Sequence, residues 1–114
     1  DLTTDPARYD RTINLVRKQP NIRLWGVTNA FAKAVNKRFK VIRKKGWVEK
    51  IKLKILIINS TRDRVVDSNK TLKTVKRLND YEVINFNNCE HELFMEKDLH
   101  RQKMWSKIDN FLLK

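Results

Sequence analysis

The sequence predicts an α/β protein in which a helical segment, residues 1–50, precedes a strand–helix–strand–helix unit, residues 51–114. The main observation is the branched aliphatic run "ILII" at 55–58, which is typical of a central strand in a parallel sheet. A second strand pattern, "YEVINF", follows at 81–86, and the residues between the two strands have a helical period. Parallel strands need such a helical crossover. The scarcity of glycine and proline, two of each, favours long elements joined by short loops.

The first predicted helix begins after Asp5, a good N-cap residue. Pro6 suits its first turn, because the N–H that proline lacks would have no partner there. Apolar residues continue at helical spacing until Pro20 ends the helix. The short apolar segment that follows, "NIRLWGV", is expected to be a loop that packs Trp25.

The second predicted helix begins after the candidate N-cap Thr28, and Gly46 lies where a left-handed residue is expected to end it. Its apolar residues recur at helical spacing and should form one stripe that faces the core: Phe31, Val35, Phe39 and Ile42. The same helix is strongly basic over residues 31–45, through Lys33, Lys37, Arg38, Lys40, Arg43, Lys44 and Lys45. The simpler interpretation is a helix packed on the core with its basic face in solvent. The other is a helix that lies on an anionic membrane surface, apolar face down.

The rest of the chain is predicted to alternate between strands and helices. The first strand is "IKLKILIINS" at 51–60, and the following helix is capped by Asp67 or Ser68. The second strand, 81–86, leads into the loop "NNCEHELF", and a final helix begins at Glu96. One apolar stripe of this helix is expected to consist of Trp105, Ile108 and Leu112. Met104 and Phe111 are expected to lie beside it.

A sheet of two strands would leave unpaired edges, and such edges recruit other strands. The continuously apolar first strand is also typical of a strand that pairs with another strand on each side. The sequence is therefore expected to be the end of a larger α/β domain whose other strands precede Asp1.

An acid and a histidine follow the two predicted strands. Asp63 comes three residues after the first strand, and His91 lies in the loop after the second. Functional groups of open α/β sheets gather beyond the carboxyl ends of the strands, so these side chains are expected to come within hydrogen-bond reach. Taken alone, Asp63 is interpreted as a turn residue and His91 as a structural or surface histidine. Their joint placement favours a catalytic pair, in which the carboxylate orients the imidazole and stabilises its protonated form.

The segments "INSTRDRVVDSNKTLKTVKRL" and "CEHELFMEKDLHRQKMWSKIDNFL" resemble the C-terminal part of an α/β-hydrolase. They are most similar to the bacterial lysophospholipase and monoacylglycerol-lipase-like group, and "LTTDPARYDRTINLVRKQPNIRLWGVTNAF" resembles the cap segment and re-entry of that group. The resemblance implies a serine hydrolase of carboxylic esters, with a cap at 1–50 and the end of the core at 51–114. The triad of this family runs Ser, Asp, His along the chain, which places the acid at Asp63 and the base at His91. Asp67 is then the cap of the following helix.

The nucleophile of that family is missing from these 114 residues. The G-x-S-x-G elbow is absent, since the two glycines, Gly26 and Gly46, have no serine between them. Ser60, Ser68 and Ser106 do not lie on a strand-to-helix elbow with small neighbours. This chain alone is therefore predicted to be inactive, and to associate with a missing N-terminal half or with itself. The alternatives are a basic membrane- or nucleic-acid-binding module and a catalytically inert remnant of a split hydrolase gene.

The chain is strongly basic, with 26 Lys and Arg against 13 Asp and Glu and a formal charge of +13. This favours anionic partners such as acidic lipid or nucleic acid, although a composition rich in solvated lysines is the simpler explanation. Nucleic acid is the less favoured partner, because no zinc finger, helix-turn-helix or RNA-recognition pattern is present. The N-terminus lacks a secretory signal and there is one cysteine, so a cytoplasmic location, with membrane association as an option, is expected.

Neither a metal nor a cofactor is predicted. The soft ligands Cys89, His91 and His100 are too few for a closed zinc site, and Cys89 and His91 are too close in sequence to act as nucleophile and base. The acids near His91 are given structural interpretations. Glu90 and Glu92, on either side of His91, are interpreted as solvated loop charges. Glu96 and Asp98 are interpreted as acids that favour the dipole at the start of the last helix.

Overall fold

The computed structural model describes residues 2–113, which form four α-helices and a two-stranded sheet. The elements in chain order are α1 (Pro6–Lys18), α2 (Asn29–Ile42), β1 (Ile55–Ser60), α3 (Ser68–Val75), β2 (Tyr81–Phe86) and α4 (Asp98–Leu112). Single 3₁₀ turns occur at Pro20–Ile22, Val48–Lys50 and Leu93–Met95. The predicted strand–helix–strand–helix order is confirmed.

The two strands are parallel, with Ile55 opposite Tyr81 and Ser60 opposite Phe86. β2 has the predicted bounds, but the prediction that the first strand begins at residue 51 is wrong. Because β2 begins at Tyr81, residues 51–54 have no strand to pair with. Within the described chain each strand keeps one unpaired edge, as the sequence predicts for two strands taken alone.

The buried core lies between the sheet and α4. It consists of four buried residues with three half-buried aliphatics packed against them: Phe86, Cys89, Leu93 and Met104, then Ile58, Ile84 and Ile108. The predicted stripe of the last helix is wrong at two of its three positions, since Trp105 is 46% exposed and Leu112 is 72% exposed. The helix is rotated so that Met104 and Ile108, at i and i+4, face the core. Trp105 instead packs edge-on against Phe94, with the ring centroids 5.6 Å apart.

The first two helices begin at the predicted caps but are not buried. Asp5 accepts from the Arg8 N–H at 3.1 Å, and Thr28 accepts from the Phe31 N–H at 3.2 Å. Neither α1 nor α2 contains a buried residue. α2 ends at Ile42, so Gly46, with φ +79°, lies in the turn beyond the helix and not directly at its C-terminus.

The expected packing of this segment is not found in the described chain. Trp25 is 83% exposed, with the Arg23 guanidinium 4.2 Å from its ring centroid. Phe31 and Phe39 of the predicted core stripe are 59% and 46% exposed. Periodicity identified the apolar face of α2 correctly, but no element of residues 2–113 buries it. No helix in this range is long and apolar enough to cross a membrane.

Two sets of hydrogen bonds hold the ends of the helical segment against the sheet unit. At the first end, the hydroxyl of Thr3 donates to the Met95 carbonyl at 2.7 Å. At the second end, Arg77 of the turn after α3 donates to the carbonyls of Ile42 and Lys44 at 3.1 and 2.7 Å. These contacts fix where the segment leaves and rejoins the sheet unit.

Candidate active site

Asp63 lies in the turn after β1, where backbone donors fix its carboxylate. Its Oδ1 accepts from the N–H groups of Val65 and Val66 at 2.8 and 2.9 Å, the pattern by which Asp stabilises a turn. Oδ2 is left to point across the sheet edge, and it lies 2.7 Å from Nδ1 of His91. The side chain of Asp63 is 8% exposed. The turn role and the contact with histidine therefore coexist, one on each oxygen.

The pKa of Asp63 is lowered from its usual value. Burial is the largest single influence and acts to raise it. The hydrogen bonds from the Val66 and Val65 N–H groups and from His91 together outweigh burial. Asp63 is therefore an anion at neutral pH, as the partner of a catalytic imidazole must be.

His91 is held in the loop after β2 with a defined proton on its ring. An ionised carboxylate only accepts hydrogen bonds, so the ring nitrogen that faces Asp63, Nδ1, must carry a proton. In the neutral ring this leaves Nε2 with a free lone pair, and we find no hydrogen bond to Nε2 within residues 2–113. The side chain is 36% exposed. The pair thus presents a basic nitrogen at an accessible surface.

The structure brings together the two residues that the sequence singled out. Asp63 and His91 are 28 positions apart in the chain, and the parallel pairing of β1 and β2 places both at the same edge of the sheet. Asp67 is the N-cap of α3, and its side chain accepts from the Lys70 N–H at 3.0 Å, as predicted. The catalytic roles of Asp63 and His91 themselves stay predictions.

No described serine is placed to serve as the nucleophile. The Ser60 hydroxyl is buried and donates to the Cys89 carbonyl, and the Ser68 hydroxyl donates to Oδ1 of Asn59 at 2.8 Å. Ser106 is exposed on α4. Burial, with the charge of Glu96, raises the pKa of the Cys89 thiol to about 11, so the thiol is protonated at neutral pH.

Glu90 overturns the prediction of a solvated loop charge. It is 4% exposed, and its Oε1 lies 3.3 Å from Nη2 of Arg64 and 3.7 Å from Nη2 of Arg62. Its Oε2 is buried without a hydrogen-bond partner in residues 2–113. Nothing local in the sequence indicates this burial, because it depends on the turn after β1 folding over the loop after β2. Glu92 keeps partial exposure.

The assignment of Glu96 to the helix dipole is also wrong, since Glu96 precedes α4 and is fully buried. Its carboxylate accepts from the Thr4 N–H at 3.1 Å, from the Thr4 hydroxyl and from the Glu90 N–H at 2.7 Å. Burial, the largest influence, acts to raise the pKa of Glu96, but these donors outweigh it and the pKa is lowered. Glu96 therefore ties the start of the chain to the loop that carries His91.

Asp98 does lie in the first turn of α4, as the dipole assignment requires. It also accepts from Arg8 at 2.6 Å and from Arg101 at 2.8 Å. Within residues 2–113 no group of three or more His, Cys, Asp or Glu side chains is arranged to hold a metal ion.

Comparison with protein families identifies the family to which the chain belongs. The model of the family described as "serine aminopeptidase, S33" matches residues 1–98, a range that includes both Asp63 and His91. That family implies an α/β-hydrolase fold, with which the parallel strands and their crossover helix agree. No curated protein gives a significant match to the chain.

Proposed function

The chain belongs to the S33 serine aminopeptidase family of α/β-hydrolases, and from this we propose that it supplies the acid and base of a catalytic triad that hydrolyses carboxylic esters. The observation that carries the proposal is the 2.7 Å contact between Asp63 Oδ2 and His91 Nδ1 at the carboxyl edge of the parallel sheet. Residues 1–50 act as a helical cap segment, and residues 51–114 form the end of the hydrolase core.

In this proposal His91 is the proton carrier. Its Nε2 takes the proton of a serine hydroxyl as the serine attacks the ester carbonyl, and then gives that proton to the departing alcohol. Asp63 holds the ring with its proton on Nδ1 and stabilises the imidazolium that forms between the two transfers. The two N–H groups on Asp63 Oδ1 keep the carboxylate in place through the cycle.

The nucleophile in this proposal comes from a polypeptide segment outside these 114 residues. The sequence has no G-x-S-x-G element, and the described serines are engaged or remote from an elbow. The unpaired edges of β1 and β2 offer places where the strands that carry such an element would add. The chain alone is then inactive and associates through these edges, with the missing half or with a second copy. The competing possibility is an inert remnant of a hydrolase gene.

For the substrate we propose a lipid ester, either a lysophospholipid or a monoacylglycerol. The family description names aminopeptidases, whose substrates carry a free α-ammonium group. Three cations, Arg62, Arg64 and Lys97, line a pocket that also includes Glu90, the residue before His91, and they would repel such a group. This distribution of charge supports an ester substrate over an aminoacyl one.

The decisive experiment begins with the coding sequence that precedes Asp1. If it encodes G-x-S-x-G in frame, the longer protein should hydrolyse a nitrophenyl ester and react with a fluorophosphonate probe. His91→Ala and Asp63→Asn should each lower kcat by several orders of magnitude. The matched control is Asp67→Asn, which changes the neighbouring acid in the cap of α3 and should keep most of the activity. Turnover of aminoacyl anilides in preference to esters would refute the substrate class. An upstream sequence without the motif would favour the remnant.

A second function, docking on anionic membranes, is favoured by a charge segregation in the helical segment. Residues 11–48 contain eleven Lys and Arg and not one Asp or Glu. At the loop between α1 and α2, Leu24, Trp25 and Val27 are 92%, 83% and 73% exposed. Cations beside exposed aliphatic and indole groups suit a lipid interface better than nucleic acid, which has no apolar layer for Leu24 to enter.

Vesicle sedimentation tests this second function. Binding to vesicles containing phosphatidylserine should exceed binding to pure phosphatidylcholine and should weaken with salt. Trp25→Ser should reduce it, whereas Leu113→Ser, which removes an equally exposed apolar side chain at the other end of the chain, should not. Tighter binding to duplex DNA than to the anionic vesicles would refute the proposal.

A further inference from the structure

A pocket of about 460 Å³ is lined in part by residues that are chain neighbours of Asp63 and His91. It is bounded by the start of the chain, the turn after β1 and the loop after β2. Among the residues that line it are Thr3, Thr4, Arg62, Arg64, Glu90 and Lys97. The two arginines flank Asp63 in the chain and Glu90 directly precedes His91, so the pocket and the pair share one edge of the sheet.

The cations of this pocket have N–H groups that make no hydrogen bond within the described chain. The side chains of Arg62 and Arg64 are 49% and 67% exposed, and each has only an ion-pair contact, with Glu90. Neither guanidinium, nor the ammonium of Lys97, donates a hydrogen bond to any residue between 2 and 113. Each guanidinium carries five N–H donors in a planar fork that matches the spacing of phosphate or carboxylate oxygens.

Glu90 holds the two guanidinium groups in place. Both lie against the same oxygen, Oε1, so the arginines are positioned side by side before any ligand arrives. The other oxygen, Oε2, is buried and accepts no hydrogen bond in the described chain. Glu90 therefore meets the arginines of the pocket through Oε1 alone.

The other carboxylates near the pocket already have hydrogen-bond or ion-pair partners. The charges that line the pocket are therefore mainly positive. Glu96 accepts three hydrogen bonds from Thr4 and Glu90, and Asp5 and Asp98 are paired with Arg8. Three cations then face one anion, Glu90.

We propose that this pocket binds the oxyanion of the substrate, a phosphate or carboxylate group, on the forks of Arg62 and Arg64 with help from Lys97. The ester bond of the same molecule then lies toward His91, which selects an acidic ester over a neutral glyceride. This role in hydrolysis rests on the proposed function, whereas the binding of an oxyanion does not.

Binding is tested on the ¹⁵N-labelled 114-residue chain by NMR at fixed ionic strength, with glycerol 3-phosphate, inorganic phosphate, propionate and glycinamide as separate probes. Saturable shifts of the Arg62 and Arg64 side-chain N–H signals are expected with the first two. The propionate arm tells a carboxylate source from a phosphate one.

The variant R62Q/R64Q should weaken the affinity for glycerol 3-phosphate at least about tenfold, as expected for losing two charge-assisted hydrogen bonds. The matched control R17Q/K18Q removes the same charge from α1, outside the pocket, and should change the affinity less than about twofold. Equal weakening in both double variants, or shifts that never saturate, would show unspecific attraction to a +13 chain and overturn the proposal.

Two further results keep the test decisive. If R62Q/R64Q fails to fold, the shifts of the arginine side chains in the unaltered chain still locate the ligand. Saturable binding of glycinamide in place of the anions would assign the pocket to an ammonium group and refute the inference. Because no ester is cleaved in these titrations, their outcome is separate from that of the hydrolysis experiment.

Discussion

Glu96 makes the most informative stability test, because two substitutions separate its charge from its role as an acceptor. Its carboxylate is fully buried and accepts three hydrogen bonds, two from Thr4 and one from Glu90. Glu96→Gln keeps an oxygen at Oε1, where the Thr4 and Glu90 N–H groups converge, and places an amide at Oε2, toward a Thr4 hydroxyl that can also accept. Glu96→Ala removes every acceptor.

The expected losses follow from these contacts. Glu96→Gln exchanges charged for neutral acceptors and relieves the burial of a charge, so a loss of about 1 kcal/mol in the free energy of unfolding is expected. Glu96→Ala leaves the buried N–H group of Glu90 and the half-buried N–H group of Thr4 without partners, each at about 1–3 kcal/mol, so a loss of about 4 kcal/mol is expected. A domain of this size is stable by only about 5–15 kcal/mol, so the alanine substitution should remove between about a quarter and four fifths of that stability.

Urea denaturation followed by circular dichroism measures both losses, with Glu92→Gln as a control expected to stay within about 0.5 kcal/mol. The pKa of Glu96 is lowered in the folded state, so its stabilisation is present above the unfolded pKa and is lost as the pH falls through the folded one. The difference between the unaltered chain and Glu96→Gln should therefore shrink below about pH 4.5, the ordinary value for a glutamate. Equal losses for Gln and Ala would refute the division between charge and acceptor, and a small loss for Ala would refute the whole network.

Three further outcomes are expected. Asp63→Asn turns an amide donor toward His91, so ¹⁵N NMR should find the ring proton moved from Nδ1 to Nε2; an unchanged tautomer would contradict the orienting role of the carboxylate. Hydrogen bonds from Arg77 are the main cause that lowers the pKa of Glu49 to about 2, so Arg77→Met should raise it towards 4.5 in a carboxyl ¹³C titration. This pair stabilises the fold above the unfolded pKa and loses its effect as the pH falls towards 2, so the variant should lose less stability in that interval. Burial raises the pKa of Cys89 from 9.0 to about 11, so alkylation at pH 8 should be about 100-fold slower than in urea; equal rates would contradict its burial.

The sequence predicted best what depends on neighbours along the chain. The bounds of β2, the caps at Asp5, Thr28 and Asp67 and the parallel order of the strands all follow local chemistry or period. The contact between Asp63 and His91 was also predictable, because parallel strands bring their carboxyl ends to one edge whatever the details of packing.

What the sequence could not predict depends on contacts between distant parts of the chain. In the sequence Glu90 and Glu96 resemble ordinary loop acids. Glu96 is a buried acceptor because the fold brings Thr4, 92 positions away, into contact with it. The apolar period of α2 identifies a face but not what covers it, and for this reason the exposure of Phe39 was missed. In α4, apolar residues nearly surround the helix, so the period alone did not decide between Met104 and Trp105.

The hydrogen bonds of Thr3, Thr4 and Arg77 hold the two ends of the helical segment and are called the clamps here. They have a consequence for how such a protein can evolve. Within the described chain no hydrogen bond or ion pair joins residues 9–41 to the sheet, to α3 or to α4; the clamps at Thr3, Thr4 and Arg77 lie outside that range. Insertions, deletions or a new composition between the clamps would leave the spacing of Asp63 and His91 unaltered. Residues between these contacts can therefore change in length and composition while the Asp63–His91 contact is inherited unchanged, so the two parts of one gene can vary separately.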